Sequence, residues 1–311
     1  MVRAVRLIVK QHAFELGAVV VATLLVTVAA AVVALRLTAI DLPASCLAAV
    51  GPASGACLGP VTAFAAIDEP EAGKVFAAMA ALPLIAGVLA GAPIVARELE
   101  SSTLQTSWWL AGSRTRWLLR KLATILLVLL VVMALATMAA TALESARELL
   151  RPTASIRDLS LYGPPVVVRA FAAFGVAVLV GAVLGRTLPA LLLSGVVIVG
   201  IAVLLGIGQE QWMYGQREYI DAADWDGISY GAAFVAPSGE RLDEAAAFAL
   251  VPPDVSDGTS WLSDHGYRLI NVGIRDDVAL GWATYDMLVF AGVGAATLVA
   301  AGIVVNRRRP M

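Results

Sequence analysis

"LATILLVLLVVMALATMAATAL", residues 122–143, decides the fold. No residue in it is charged, and as a helix rising 1.5 Å per residue it is long enough to cross roughly 30 Å of hydrocarbon. The surrounding composition agrees: of 311 residues, 59% are hydrophobic and only 15% are charged, against roughly 25% charged in soluble domains. The formal net charge of −2 is uninformative in a chain of this kind, because the position of each sign along the sequence carries the information.

Working outward, five more windows of about the same length appear. They run over Phe14–Leu37, Val75–Ala96, Pro165–Gly185, Leu188–Ile207 and Met287–Val305. The expected fold is therefore an all-α integral membrane protein with six transmembrane helices, a single polytopic domain over residues 1–311. Pro83, Pro93 and Pro189 lie in or near these spans, where neighbouring helices or water satisfy the backbone groups a proline frees.

Basic residues set the expected orientation. Arg3, Arg6 and Lys10 precede the first span, Arg97, Arg114, Arg116, Arg120 and Lys121 separate the second and third, Arg186 separates the fourth and fifth, and Arg307, Arg308 and Arg309 follow the last. All four groups fall on one side of a six-span chain, so both termini are expected in the cytoplasm of a cell with this protein in its plasma membrane. The opposite side holds residues 38–74, 144–164 and 208–284, the last with thirteen Asp and Glu against four Arg. Arg147, Arg151 and Arg157 run against this pattern, and the other loops outweigh them. The opening "MVRAVRLIVKQHAFEL", residues 1–16, reads either as a helix lying in the cytoplasmic headgroup layer or as a basic flank that orients the first span.

Cys46 and Cys57, with ten residues between them, share one outer loop rich in Pro, Gly and Ala. A disulfide is the functional reading and free thiols are the alternative; the outer placement favours the disulfide. "LPASC" is not a lipoprotein cleavage box, because Pro43 replaces the Leu-like residue and the preceding apolar run is too long. No metal site is expected, since no His lies near the two cysteines.

Several activities are excluded. The Gly-Lys pair at Gly73–Lys74 is not a phosphate-binding loop, because Val75 follows it and Asp68 stands where the first glycine belongs. His12 and His265 lie on opposite sides of the membrane, so no catalytic constellation forms around them. Ionisable residues inside the spans are few, which argues against an ion relay. Arg169 is expected to snorkel to the outer interface, and Glu15 and Asp286 to sit at span edges. Gly87 with Gly91 and Gly181 with Gly185 place small residues at helical spacing, suited to close helix packing or a dimer face.

Between the second and third spans lies "ARELESSTLQTSWWLAGSRTRWLLRKL", residues 96–122. It is too short for a domain and sufficient for two short helices and a turn. Leu104, Trp108 and Ala111 fall on one helical face, and Glu98 and Glu100 are expected at a helix N-terminus, where negative charge is stabilising. Gly112 and Ser113 then break the helix. Arg114, Arg116, Arg120 and Lys121 are expected to bind anionic headgroups and anchor the third span.

This segment, with the small residues before it, resembles the cytoplasmic loop of ABC-2 type transporter permeases. Arg97, Glu98, Glu100 and Thr103 match the first half of that family's pattern, and Ser113, Arg114, Trp117 and Lys121 the second, while Ser102 stands where the family usually has glycine. The six-span layout covers nearly the whole chain, and the ending before Arg307–Arg309 resembles actinobacterial members. The resemblance implies that Arg97, Glu98, Glu100, Thr103, Leu104 and Trp108 belong to a coupling helix that docks on a separate ATPase subunit. It also implies a second permease copy or a homologous permease as partner, with ATP and magnesium held by the ATPase and no cofactor in this chain. Membrane lipid is an expected partner and nucleic acid is not.

The leading expectation is an ATP-driven exporter permease for an amphipathic drug, peptide or lipid-like molecule, with no enzymatic activity of its own. The alternative is a non-transporting membrane sensor or assembly protein with a ligand-binding outer loop. Residues 208–284 show no clean strand or helix periodicity and are expected to form an outer loop or small cap. They do not reveal a substrate.

Overall fold

The computed structural model describes residues 2–43, 46, 55–103, 113–147, 163–221, 227–252, 255 and 258–308. Helix α1 spans Val2–Gln11, and α2, Ala13–Thr38, begins after a break at His12. The second span is compound: α3 at Leu58–Ile67, a π-helical turn at Asp68–Ala72, α4 at Gly73–Gly91 and α5 at Pro93–Glu100. Then follow α6 at Arg114–Arg147, α7 at Pro164–Leu184 and α8 at Thr187–Gly215. Strands β1, Glu218–Asp221, β2, Gly227–Val235, and β3, Arg241–Asp243, precede two short helices, α9 at Glu244–Phe248 and α10 at Gly258–Asp264. Strand β4, Arg268–Arg275, leads directly into α11, Asp276–Arg307.

Six helices are long and apolar enough to cross a membrane. They contain five of the six expected windows and mostly overrun them, because helix geometry continues past the point where hydropathy falls, whereas the window at Pro165–Gly185 ends one residue past its helix. The second span grows most, with its helical segment running from Leu58 to Glu100. Pro93 lacks the N–H that would bond back one turn, which accounts for the break between α4 and α5.

The six spans alternate in direction, so the molecule has two ends. One, here the basic end, gathers α1, the end of α5, the start of α6 and the end of α11. The other, the sheet end, carries β1–β4.

Burial is concentrated in two helices. In the second span and in α7, 61% of the most apolar window is buried, against 17 to 28% in the other four spans. Helix α7 packs against α4, α8 and α11, while α2 packs against α6. Glycines permit the closest of these contacts. A Cβ at Gly87 would sit 2.5 Å from the Ala170 carbonyl oxygen, and one at Gly181 would sit 2.6 Å from that of Ala92. The small residues noted in the sequence therefore serve packing within the chain. Gly185 differs: it caps α7 at φ +66, a left-handed conformation that glycine adopts without steric cost.

The sheet is a departure from the sequence reading, which found no strand pattern in this region. Its four strands are antiparallel in the order β1-β4-β2-β3, with a register shift between Ser229 and Gly231. Strand β2, "GISYGAAFV", mixes strand-favouring Ile228, Tyr230, Phe234 and Val235 with two glycines and two alanines that interrupt the pattern. It is held as a strand by pairing with β4 on one side and β3 on the other. Phe234 packs with Ala247 of α9 and Leu262 of α10, and Asp243 caps α9 by accepting from the Ala246 N–H at 2.7 Å. Met213, Ile274 and Ala279 join the sheet to α8 and α11.

Two buried ion-pair clusters brace the sheet end. Arg147 donates to Asp68 at 2.5 Å and to Glu144 at 3.0 Å, and its guanidinium lies 4.8 Å from the centre of the Phe76 ring. An arginine that contradicts the charge pattern is thus offset by two acids. Arg169 does not snorkel: it pairs with Asp286 at 3.0 Å, tying α7 to α11. Cys46 and Cys57 form a disulfide, with Cα atoms 5.5 Å apart.

Candidate functional site

The segment between the second and third spans is rooted in polar contacts at the basic end. Helix α5 stops at Glu100 in a Schellman motif, in which the Thr103 N–H donates to the Glu98 carbonyl at 3.1 Å and the Ser102 N–H to that of Leu99 at 3.3 Å. The motif requires a left-handed residue, and Ser102 adopts φ +57. This is a physical reason for a glycine at that position in the pattern the segment resembles. The Ser101 and Thr103 hydroxyls, 2.8 Å apart, close the turn. On the far side Ser113 caps α6, its hydroxyl accepting from the Arg116 N–H at 3.1 Å. Residues 104–112, which include Leu104 and Trp108, lie outside the described residues.

Glu98 and Glu100 are consequently at the C-terminal end of a helix, not at the N-terminal end expected from the sequence. Both carboxylates are engaged within the chain, which offsets the unfavourable position. Glu98 is buried and forms an ion pair with Lys121, on α6. Lys121 also lies 5.1 Å from the centre of the Trp117 ring. Glu100 accepts from the Thr187 N–H at 3.1 Å and the Thr187 hydroxyl at 2.8 Å, so it caps the start of α8. There negative charge meets the positive end of the helix dipole.

Arg97 reaches in a third direction. It pairs with Glu15 at 2.7 Å and donates to the Gln11 carbonyl at 3.1 Å, which joins α5 to the α1–α2 break. His12 sits at that break, 3% exposed, and among the described residues neither ring nitrogen has a hydrogen-bond partner. Burial, with Lys121 and Arg97 nearby, pushes its pKa down to about 4, so the ring is neutral.

Arg114 completes the set. It donates to the carbonyls of Asn306 at 3.0 Å and Arg308 at 2.6 Å, at the end of α11. Arg308 in turn donates to the Val183 carbonyl at 2.7 Å, at the end of α7. Cations here meet the negative ends of two helix dipoles. The four expected headgroup anchors are therefore divided: Arg116 and Arg120 are exposed, whereas Arg114 and Lys121 are committed to contacts inside the chain.

These contacts connect the two roots of the 97–121 segment to all six spans: to α2 through Glu15, to α5 and α6 through Glu98 and Lys121, to α8 through Thr187, to α11 through Arg114, and to α7 through Arg308. Among the described residues no group of His, Cys, Asp and Glu is arranged to hold a metal ion. The contacts tie one segment to helix ends of all six spans at this face.

A family model described as ABC-2 membrane transporter related matches residues 18–208. The chain belongs to the ABC-2 membrane transporter related family. The matched region takes in five spans and the whole of the rooted segment, and stops before the sheet. This ABC-2 protein is a multi-pass membrane protein of the ABC transporter permease type. No curated protein and no solved structure matches the chain.

The sequence singled out Arg97, Glu98, Glu100, Arg114 and Lys121, which take part in these contacts, and Thr103, which closes the turn beside them, but it did not pair them with Glu15, Thr187 and Arg308. Glu15 and Arg97 carried a usable signal, being opposite charges at adjacent span ends on the same side. Arg308 carried none, because three consecutive arginines read only as a basic flank.

Proposed function

We propose that this chain is the permease subunit of an ATP-driven exporter, with its basic end in the cytoplasm. A separate ATPase subunit docks on residues 98–112, with Leu104 and Trp108 among the contacts. ATP and magnesium are bound and turned over by that subunit. Two permeases, identical or homologous, pair with two ATPases and move an amphipathic drug, peptide or lipid-like molecule.

The observation that supports this reading is the polar network around the docking segment. Coupling between distant sites travels through elements packed or bonded together, and here charge-assisted contacts lead from one short segment to every span. Movement of the ATPase would shift the ends of α2, α5, α6, α7, α8 and α11 together, while the glycine-mediated contacts of α7 keep the central helices closely packed.

Co-purification with an ATPase subunit, sought first in the reading frames beside this one, tests the proposal. The Leu104→Glu, Trp108→Glu variant should insert and purify as the wild type does, yet lose the ATPase on a sizing column and lose substrate-stimulated hydrolysis. Glu98 and Glu100 are unsuitable targets, since both stabilise the fold. If the variant keeps a stoichiometric ATPase, the docking site is elsewhere; if the wild type binds no ATPase, the transporter reading fails. Reporter fusions after Lys121 and after Ser238 should report opposite sides of the membrane, the first cytoplasmic.

A further inference from the structure

At the sheet end, α8 and α11 leave an open hollow. Helix α8 contributes Trp212 and Gln216, one turn apart, and α11 contributes Val278, Gly281, Trp282 and Tyr285 from a single face; together they line a volume of about 510 Å³. Its three rings form a row, with Trp212 and Trp282 centroids 5.2 Å apart and Trp282 and Tyr285 centroids 5.1 Å apart. A Cβ at Gly281 would meet nothing within 4 Å, so this glycine enlarges the hollow and serves no close helix contact. The Trp282 indole N–H is buried, with no hydrogen-bond partner among the described residues. Trp282 also lines a small void that it shares with Gln209 and Asp286.

The surroundings say where a ligand would come from. On α11, Leu280, Tyr285 and Leu288 are 61%, 51% and 67% exposed, so the hollow borders a surface that faces lipid in a membrane. Among the residues lining the hollow and the void, neither lysine nor arginine occurs, and the charged one is Asp286. Its charge is balanced by Arg169 at 3.0 Å.

We propose that this hollow binds an amine-headed, zwitterionic phospholipid from the leaflet nearest the sheet. Electron-rich ring faces attract an ammonium group. Tryptophan and tyrosine suit a site that is apolar on one side and wet on the other, and the volume lies in the range of small-molecule sites. The unpartnered indole N–H supplies a donor for the lipid's phosphate or ester oxygens after a small ring movement. An anionic headgroup without an amine finds no cation in the lining. The site is independent of the proposed ATPase partner.

The test uses the full-length protein purified in detergent, stripped of lipid, and exposed to equal amounts of phosphatidylethanolamine and phosphatidylglycerol with the same acyl chains. Lipid retained per chain after size exclusion is counted by mass spectrometry. The wild type should retain the ethanolamine lipid about three- to tenfold over the glycerol lipid, the ratio expected of a partly desolvated cation–π site. Gly281→Leu, which fills the hollow, and Trp212→Ala, which removes a ring already 41% exposed, should each bring the ratio close to one without altering the elution volume. Equal retention of both lipids by the wild type would overturn the proposal. So would a wild-type ratio in both variants, or an unchanged ratio with a dimer peak lost, since the hollow would then be a contact between two copies of the chain.

Discussion

The two ends of the bundle handle buried charge differently. At the basic end the contacts of Glu15, Arg97, Glu98, Glu100, Arg114, Lys121 and Arg308 link into a network that reaches all six spans. At the sheet end Arg147 and, separately, Arg36 through Glu71 join α6 and α2 to the second span, Arg169 joins α7 to α11, and a backbone ladder adds to these contacts. At the basic end one short segment is linked to every span, and this is why the proposed function is placed there.

Replacing Arg147 should have the largest effect. Arg147→Met leaves the Asp68 and Glu144 side chains, 1% and 6% exposed, without this cation, and should cost about 3–5 kcal/mol. Denaturant or thermal unfolding of the purified protein measures it. Lys121→Met tests the other end by the same logic and should fall toward the lower part of that range, about 3 kcal/mol, because only Glu98 loses its partner. The double variant Lys121→Met, Glu98→Leu should recover most of the loss. If the double variant is no more stable than the single, Lys121 matters for more than neutralising Glu98, and the network is tighter than drawn.

A pH series distinguishes the ends next. The His12 pKa lies at about 4, below the ordinary 6.5. The unfolded chain therefore binds the extra proton first, and stability should fall as pH drops from about 6.5 toward about 4 and be flat with respect to this group above that window. Carboxylates titrate in part of the same range, so the readout is the difference between the wild type and His12→Gln. A difference that does not change with pH would show that His12 is not held neutral at the α1–α2 break.

The smallest expected effect has the opposite sign. Ser102 holds a left-handed conformation at φ +57, and Ser102→Gly should stabilise the protein by about 1 kcal/mol by relieving it. A loss of stability would mean that the hydroxyl or the stiffness of serine matters more than the backbone strain.

Much of the fold was legible in the residues because membrane insertion imposes a one-dimensional rule. A helix must be apolar over the hydrocarbon thickness, so each span announces itself locally, and residues 122–143 needed no partner to be recognised. The rooted segment was legible in composition, and its charged residues stood out as a group. Their positions were not, because the end of α5 depends on Ser102 taking a left-handed conformation that glycine would have signalled.

What the sequence alone determined is the number of spans, their approximate places and which side of the bundle gathers the basic residues. Only the tertiary structure decided which charges face one another. Arg147 finds Asp68, 79 residues away, and Arg169 finds Asp286, 117 residues away. Glu100 finds Thr187 across 87 residues. Strand β2 is likewise fixed by β3 and β4 beside it, because its glycines and alanines interrupt the strand-favouring run that would have marked it in the sequence. Apolar length is a property each segment carries by itself, whereas an ion pair or a strand ladder exists only once the fold has brought distant residues together.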